Sequence, residues 1–577
     1  MYTLDKGKKI LCKATHKKNA VGRIVLFDHL SDSNHYSEKD LEFIFKKFYQ
    51  DQADEFLNLR IIEEGYKESF YWTEREFFEL LGFFDSTILL EMFKKYVFED
   101  RMNFLKAFNM ALDAYLEFGK TDPFYPSTEE KLRTLEYLRQ RLLLRLESII
   151  YRYKIREIKE NSIIVVNRFK KEYFYNMPKY VKGFICRKDE NYNLARLYAN
   201  EYQLTIAISD HAFFEDDMVI IDSLKEEIIL NPDEDLIAMY QNQMMSSMKY
   251  IIKGPGMSLD PITLFTSTND LRNIKEIISS EWFSGVCTFK SEFFYGAKGT
   301  IPTLEEQTKL YIKLLKTAGD KEVYINIPDF RPDKPVDIMG DEYTDFSTFL
   351  RLHPVFTTNV LAIAEASRIT NKVVNMVVPM IRLSNEMSSW VDYIRVAFKK
   401  SNAQQPLLGM MVETETTLEY FEDFELYDFV VIGLDNLIEE MIDNQNRYSK
   451  IIYKDFMFEL KNDLRDLHQY YRSYSKRIRH IVSGYCLNNP DILLKLMRLG
   501  FKEFSIPVDC MPKAGEVVKF FASTRGTFKG VAAERVIQKQ IRDEMEKEKE
   551  REKLEEEEKK EEELKLIEER KKKYKID

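Results

Sequence analysis

The segment EEQTKLYIKLLKTAG (305–319), followed two residues later by EVYINI (322–327), decides the fold of this chain. The first run places apolar residues at helical spacing, and the second is a short β-branched run that predicts a buried strand. Seven further strand candidates flank this pair: TLFTST (263–268), GVCTF (285–289), VVNMVVP (373–379), LLGMMVE (407–413), FVVIG (429–433), HIVSGY (480–485) and EFSIPV (503–508). Helical segments such as TNVLAIAEASRI (358–369) separate them. About eight strand–helix units predict a (β/α)₈ barrel, whose active site lies at the carboxyl ends of the strands.

A second α/β unit is predicted before the barrel. Its strand candidates are SIIVVN (162–167), GFICR (183–187), LTIAIS (204–209) and DMVIIDS (217–223). A helix is predicted over 191–202. A further strand candidate, GRIVLF (22–27), lies on the other side of a long block of helical periodicity. We therefore interpret that block as an insertion into the α/β unit.

These patterns predict an α/β protein of several segments. They are an α/β domain formed by residues 1–36 and 154–236, a helical insertion over 37–153, a linker helix over 237–257, the barrel over 258–530 and a charged helical tail over 531–577. The tail is almost entirely Glu, Lys and Arg, and its i,i+4 pairs predict a solvated single helix. A weak coiled coil or a partner-docking helix stays open as an alternative for it.

The composition predicts a cytoplasmic protein. A run of about 18 apolar residues, which a membrane span needs, is missing from the sequence, and the N-terminus lacks the apolar core of a secretory signal. Five widely spaced cysteines without a CxxC pair favour a reducing compartment over a disulfide framework or a zinc site. The net charge of −10 argues against general binding to nucleic acid.

Short strings in order along the chain resemble bacterial Enzyme I, the phosphoenolpyruvate–protein phosphotransferase. They are EDDMVIIDSLKEEIILNP (215–232), GVCTFKSEFFY (285–295), IPTLEEQTKLYIKLLKTAG (301–319), VVPMI (377–381), MVETETTL (411–418), VVIGLDNL (430–437) and LGFKEFSIP (499–507). The resemblance implies a phosphohistidine domain with a helical insertion, then a barrel that binds phosphoenolpyruvate (PEP). It also implies phosphate transfer from PEP through a histidine to a phosphocarrier protein, and a homodimer formed through the barrel.

The resemblance places the phosphoryl acceptor of the family at Leu194. In the family this residue is a histidine in a Gly-Gly-x-Thr-Ser-His string, because a neutral imidazole is the nucleophile. The string here is DENYNL (189–194), which has no glycine and carries two carboxylates that would repel a phosphoryl group. His211, in the loop SDHAFFEDD, is interpreted as an ordinary surface residue rather than a relocated nucleophile.

The resemblance also implies a PEP site built from arginines, whose planar fork meets phosphate and carboxylate oxygens bidentately. Its positions fall at Lys290, at Asn326 and near His353, and Arg447 lies one residue beyond a fourth place. Lysine keeps the charge without the fork, and asparagine keeps neither. The four residues are therefore weak candidates for binding a substrate.

Half of the family's metal site is kept. Glu413 matches the first carboxylate ligand, whereas the family's Asn-Asp pair is transposed to Asp435-Asn436. Because adjacent residues of a strand face opposite sides, we expect that Asp435 does not replace the missing carboxylate unless the backbone shifts. One carboxylate beside one amide is a poor site for Mg²⁺. No cofactor is predicted, with Mg²⁺ as the open alternative; otherwise Glu413 is a strand-end residue paired with a lysine.

The general acid of the family is a cysteine, and its position here is Ser483 in VSGY (482–485). A serine hydroxyl is a much weaker acid than a thiol. Cys486, three residues further on, is predicted to have a buried apolar role and to face elsewhere.

The joint loss of acceptor, arginines, metal ligand and acid favours a noncatalytic Enzyme I-like protein that acts by binding. A phosphocarrier protein docked on the helical insertion is the candidate partner. Aromatic residues of the insertion would serve such a groove, although their helical spacing is also typical of a core: Phe43, Phe48, Phe77, Phe78, Phe83 and Phe84. Two alternatives stay open, an active phosphotransferase with an altered anion site and an assembly role for the tail.

Overall fold

The computed structural model describes most of the α/β unit and the barrel. The described residues are 7–15, 18–27, 87–102, 104–119, 154–188, 192–269, 271–272, 274–298, 301–330, 353–424, 427–445, 453–473 and 478–524, with 39, 42, 46 and 151. The charged tail and the six phenylalanines quoted from the insertion lie outside them. Within the described residues, no helix is both long enough and apolar enough to cross a membrane.

The first sheet has eight strands. They are β1 (Lys8–Leu11), β2 (Lys13–Ala14), β3 (Ala20–Leu26), β4 (Ser162–Val166), β5 (Val181–Cys186), β6 (Thr205–Ile208), β7 (Met218–Asp222) and β8 (Glu227–Leu230). Their order is β1-β8-β7-β3-β4-β5-β6-β2; β3 to β6 are parallel neighbours, and the other pairs are antiparallel. Because β3 pairs directly with β4, the chain between them leaves the sheet and returns beside the strand it left.

Three strands of this sheet were not predicted. β1 and β2 are short, lysine-bearing strands at the two edges, and they have too few apolar residues to give a strand pattern. Lysines on edge strands are a common protection against pairing with other chains. β8 lies within the string EDDMVIIDSLKEEIILNP (215–232), which we interpreted only as part of the family resemblance and not as a strand.

Two α-helices of the insertion are described, α1 (Thr87–Lys94) and α2 (Phe104–Gly119), and a short π-helix (Lys95–Glu99) directly follows α1. Between them the rings of Phe93 and Phe108 pack edge to face, with centroids 5.5 Å apart, and both side chains are fully buried. The aromatic residues at helical spacing in this part of the insertion therefore form a helix–helix core.

Two further helices lie between the insertion and the barrel. The helix predicted over 191–202 is α3 (Tyr192–Tyr202), and the linker helix is α4 (Glu234–Lys253). Asp233 caps α4 by accepting a hydrogen bond from the N–H of Leu236 at 2.7 Å, and Gly254 ends it with a φ of 73°. These two signals place the helix a few residues earlier than predicted.

The second sheet is a closed barrel of eight parallel strands, and the predicted (β/α)₈ fold is confirmed. The strands are β9 (Thr263–Ser267), β10 (Gly285–Lys290), β11 (Glu322–Asn326), β12 (Asn375–Val378), β13 (Leu407–Val412), β14 (Phe429–Gly433), β15 (Arg479–Ser483) and β16 (Glu503–Pro507). They follow chain order around the barrel, and β16 pairs with β9 to close it. All eight coincide with predicted runs.

Helices surround the barrel. They are α5 (Ile274–Ser279), α6 (Glu292–Lys298), α7 (Leu304–Ala318), α8 (His353–Thr370), α9 (Ser384–Lys400), α10 (Glu415–Glu419), α11 (Leu434–Gln445), α12 (Tyr453–Ser473), α13 (Pro490–Leu499) and α14 (Met511–Thr524). In α7 the side chain of Thr303 and the side chain of Glu306 each bond the other's backbone N–H, which fixes the start of the helix. Its buried face, including Tyr311 and Leu314, joins the large core outside the strands.

Helix α3 docks the first domain on the barrel. The ring of Tyr198 packs edge to face on Phe293 of α6, with centroids 5.2 Å apart. The hydroxyl of Tyr485, just after β15, donates a hydrogen bond to the backbone oxygen of Asn200. Arg272 also donates to the backbone oxygen of Tyr202 at 3.3 Å. These contacts place one end of α3 over the carboxyl ends of the barrel strands.

Candidate functional site

A cavity of about 670 Å³ lies between helix α3 and the carboxyl ends of the barrel strands. This is the end of a (β/α)₈ barrel at which its active sites form. Seven of the nine positions singled out from the sequence line it: Leu194, Lys290, Asn326, Glu413, Asp435, Asn436 and Ser483. The other two, His353 and Arg447, are not placed there: His353 begins α8 but its side chain is not described, and Arg447 lies outside the described residues.

Leu194 lies in the first turn of α3, and its half-buried side chain faces the cavity. An alkyl side chain has no lone pair with which to attack phosphorus. His211 lies in the loop between β6 and β7, where its ring packs against Phe213 with centroids 5.3 Å apart. Among the described residues that line the cavity, none is a histidine.

Lys290, the last residue of β10, forms an ion pair with Glu201 of α3. Asn269 joins the same network, because its side-chain oxygen accepts the N–H of Lys290 at 2.9 Å and its amide donates to Glu201 at 2.8 Å. The only lysine among the described lining residues is therefore occupied by an internal carboxylate. Glu201 and Asn269 were not singled out from the sequence, because no pattern shows that α3 lies against the barrel.

Asn326 is the last residue of β11 and is 3% exposed. Its backbone oxygen accepts a hydrogen bond from the hydroxyl of Ser291 at 2.8 Å. Its side-chain oxygen has no hydrogen-bond partner among the described residues. The position therefore presents a buried neutral acceptor to the cavity, which is the opposite of what a phosphate oxygen requires.

Glu413 follows β13 directly and is 1% exposed. One carboxylate oxygen accepts the N–H of Met380 at 2.7 Å, and the other accepts a hydrogen bond from the side-chain amide of Asn436. Both donors are neutral, whereas the alternative interpretation of Glu413 expected an ion pair with a lysine.

Asp435 and Asn436 belong to the first turn of α11, because β14 already ends at Gly433. The expectation that they point to opposite faces of a strand is therefore wrong. Neighbouring residues of a helix are offset by about 100°, so both side chains can face the cavity. The carboxylate of Asp435 accepts the N–H of Tyr485 and the N–H of Cys486, the second at 3.0 Å.

Ser483 is the last residue of β15, and the chain then turns at Gly484 into a short 3₁₀ helix (Tyr485–Asn488). Cys486 lines the same cavity, so the expectation that it faces elsewhere is wrong. Burial raises the pKa of the Cys486 thiol well above its usual range, and the nearby carboxylate of Asp435 raises it further. A thiol in this environment keeps its proton near neutral pH.

The charged residues that line the cavity are mostly acidic. The six carboxylates are Glu201, Glu292, Asp329, Glu413, Asp435 and Glu439. The first four of these are buried. The described cations of the lining are Lys290 and Arg196, and Arg196 is exposed. Glu292, Asp329 and Glu439 gave no signal in the sequence, because their meeting depends on how the barrel closes.

The described residues do not fit Mg²⁺ as they are arranged. Mg²⁺ needs several oxygen ligands in a rigid octahedron. The carboxylate oxygens of Glu413 and Asp435 already accept N–H groups, and Asn436 turns its amide nitrogen toward Glu413. In the described part of the chain, no group of three or more His, Cys, Asp or Glu residues is placed to hold a metal ion.

The barrel region is similar in sequence to known proteins. Residues 262–521 match the sequence family described as PEP-utilising enzyme, PEP-binding domain. This range contains all eight barrel strands. The barrel is therefore similar in sequence to the PEP-binding domain of PEP-utilising enzymes. The matched range thus includes the barrel strands whose carboxyl ends line the cavity just described.

The curated relatives are phosphoenolpyruvate–protein phosphotransferases, and the resemblance drawn from the short strings is confirmed. The protein of Staphylococcus epidermidis is 22% identical over 51% of this chain and 56% of its own length. That of Staphylococcus aureus is 24% identical over 52% of this chain and 56% of its own length. This chain therefore spans about half the length of the curated relatives that it matches. The match to an NMR structure of Enzyme I covers 41% of this chain and 98% of the chain in that structure, at 17% identity and a TM-score of 0.22.

Proposed function

We propose that this chain is an Enzyme I-like protein that acts by binding and does not transfer phosphate from PEP. The observation that carries the proposal is the position of Leu194. In the docked arrangement of the two domains, this side chain faces the barrel cavity at the place where the family resemblance puts the acceptor histidine. A leucine there cannot form a phosphoramidate.

The cavity chemistry supports the same reading. PEP carries a phosphate and a carboxylate, both of which need cationic, fork-shaped partners. The PEP-binding positions here are Lys290, which pairs with Glu201, and the neutral Asn326. Ser483, at the position of the acid, supplies a hydroxyl that does not protonate an enolate effectively near neutral pH. Each change removes a different requirement of the reaction.

As partner we propose a phosphocarrier protein that docks on the helical insertion, and as assembly a homodimer formed through the barrel. We place the protein in the cytoplasm. All five cysteines are free thiols, which is the expected state in a reducing compartment.

Intact-mass measurement tests the proposal. The full chain is incubated with PEP and Mg²⁺, alone and with a phosphocarrier protein, beside an active bacterial Enzyme I as the positive control. We expect the mass of this chain to stay unchanged while the control gains one phosphoryl group. A gain of one phosphoryl mass on this chain would show that it is a divergent but active phosphotransferase.

Calorimetry tests the partner separately. Titration of the unphosphorylated phosphocarrier protein into this chain should release or absorb heat, and the two proteins should co-elute in size-exclusion chromatography. No heat and no co-elution would remove this partner and leave the noncatalytic reading intact.

A further inference from the structure

A second cavity, of about 440 Å³, lies between the first domain and the outer helices of the barrel. The first domain lines this interdomain cavity with residues 174–177 and with Tyr202. The barrel lines it with residues of α6, of α7 and of the loop that follows β9. No described residue lines both this cavity and the one at the barrel mouth, so the two are separate.

Aromatic rings form one part of the wall. The ring of Tyr175 lies nearly parallel to that of Phe294 on α6, with centroids 5.9 Å apart. The ring of Tyr202 packs on the buried Phe174, with centroids 4.7 Å apart. Tyr175, Tyr202 and Phe294 are only half-buried, so part of each ring stays accessible to a ligand in the cavity. An accessible aromatic face is a stacking surface for another planar ring, and every nucleobase has such a ring.

Helix α7 supplies the charged part of the wall. Lys309 and Lys313 lie one turn apart on the same face of this helix, and both are exposed. Lys309 forms an ion pair with Glu305 at 2.5 Å, but the two side chains are 72% and 75% exposed, and such a pair is weak in water. Its ammonium can therefore turn to a phosphate, which carries nearly two negative charges near neutral pH.

The single carboxylate of the described lining does not oppose an anion. Glu306 forms an ion pair with Lys298, and it also accepts the N–H of Thr303 at 2.9 Å. The charge of Glu306 is thus compensated within the protein. Arg272 donates a hydrogen bond to the backbone oxygen of Tyr202 and braces the wall, so the charge of the site is assigned to the two lysines alone.

We propose that the interdomain cavity binds a nucleoside monophosphate. Its base stacks on the rings of Tyr175 and Phe294, and its phosphate meets Lys309 and Lys313. A volume of about 440 Å³ is in the usual range for small-molecule sites. The inference goes beyond the proposed function and does not depend on it, because it concerns neither PEP nor the barrel mouth.

The bound nucleotide regulates how the first domain docks on the barrel. Both domains line the cavity, so a ligand that contacts both walls favours the docked arrangement over a separated one. Asn269 connects the two sites, because it lines the interdomain cavity and bonds both Lys290 and Glu201 at the barrel mouth. A ligand beside Asn269 therefore also steadies the ion pair that crosses between the domains.

Isothermal titration of the full chain with adenosine monophosphate tests this inference. We expect one site per chain and an affinity that falls as salt is added, because the phosphate contacts are charged. Adenosine lacks the phosphate and inorganic phosphate lacks the ring, so each should bind at least about tenfold more weakly. The nucleotide should also raise the thermal unfolding midpoint, since a ligand that binds only the folded state stabilises it.

Three substitutions assign the binding to this cavity. Lys313→Gln removes one cation from an exposed position and should weaken binding of the nucleotide about tenfold. Phe294→Leu removes a stacking ring and should weaken it about fivefold or more. Lys316→Gln is the matched control, because it makes the same charge change at an exposed residue of α7 that does not line the cavity. This control should bind the nucleotide as the parent chain does.

The outcomes are decisive for this inference. No binding of the nucleotide overturns it, and so does equally tight binding of adenosine or of inorganic phosphate, because one half of the site would then be unused. Unchanged affinity in Lys313→Gln or in Phe294→Leu also overturns it, since the nucleotide would be held elsewhere. Phosphorylation of the chain by PEP would overturn the proposed function and leave this inference standing.

Discussion

Lys290 at the end of β10 and Glu201 of α3 form an ion pair that crosses from the barrel to the first domain. The side chain of Glu201 is 7% exposed and that of Lys290 is 25% exposed, so water screens the pair only partly. Asn269 bonds both partners. Because all three residues lie where α3 meets the barrel mouth, this network fixes how the first domain covers the cavity.

The substitution Glu201→Gln should loosen this docking. It keeps the shape of the side chain and removes the charge, and a hydrogen bond to a charged group contributes about 1.5–3 kcal/mol. We expect a lower urea midpoint and a larger radius of gyration by small-angle scattering. Glu305→Gln removes an exposed ion pair with Lys309 and should change stability by less than about 0.5 kcal/mol. Equal effects of the two variants would mean that the crossing pair does not hold the domains.

Gly296 on α6 offers a second test of the docking that leaves charge unchanged. A Cβ added there would clash with the hydroxyl oxygen of Tyr198 on α3, so Gly296→Ala should push α3 away from the barrel. The expected result is an increased radius of gyration and faster proteolysis between the domains. In the double variant with Tyr198→Phe, the nearest remaining ring carbon lies at 3.4 Å, and compactness should return. Failure of this rescue would place the clash elsewhere.

The sequence predicted the barrel well because its strands are buried on both sides. Runs such as FVVIG (429–433) are apolar throughout, a pattern that predicts burial on both faces of the sheet. All five residues of β14 are indeed buried. The edge strands β1 and β2 escaped prediction because an edge needs few apolar residues and benefits from lysines. The prediction failed at Asp435, which was expected on a strand. β14 ends at Gly433 and the helix α11 begins at the next residue, so Asp435 lies in the first turn of that helix.

The cavity was only half predictable. Its barrel residues follow strands, so their common location at one end follows from the fold. Glu201, in contrast, reaches the cavity from another domain, and its pairing with Lys290 depends on a contact between elements 89 residues apart. Cys486 was assigned to the wrong side because the turn at Gly484 redirects the chain after β15. Single-sequence periodicity carries no information on either feature.

Restoring the acceptor alone should not restore phosphoryl transfer. The variant Leu194→His supplies an imidazole in the first turn of α3, but Asn326 and Ser483 still lack the charge and the acidity that the reaction needs. We therefore expect no mass gain with PEP and Mg²⁺. Phosphorylation of this variant would show that the remaining cavity still binds PEP productively. It would also show that Leu194 alone prevents phosphoryl transfer in the parent chain.

The thiol of Cys486 should react slowly with alkylating agents. Burial, followed by the charge of Asp435, raises its pKa well above the usual range, and the thiolate is the reactive species. At about pH 8, near the ordinary pKa of a thiol, labelling of native protein by iodoacetamide should leave Cys486 largely unmodified, as read by peptide mass spectrometry. The unfolded chain should label there rapidly. Asp435→Asn should increase native labelling modestly, because it removes the second cause and leaves the burial.

The buried His468 and the half-buried His480 form a pair at the other end of the barrel, with Nδ1 of His468 2.7 Å from Nε2 of His480. Burial, followed by the neighbouring His480, Arg472 and Lys502, lowers the pKa of His468 to about 4. Burial also lowers the pKa of His480. Both rings are therefore neutral in the folded protein near neutral pH.

The sign of the pH dependence follows from this lowering. Protonation favours the unfolded chain, whose histidines have the ordinary pKa of about 6.5. The contribution of the pair to stability is thus fully present above about pH 6.5 and is lost as the pH falls towards the folded pKa of about 4. The variant His468→Gln should flatten the slope of the urea midpoint against pH between these pH values. An unchanged slope in His468→Gln would assign the acid sensitivity to carboxylates instead, since their protonation is the other source of stability loss in this range.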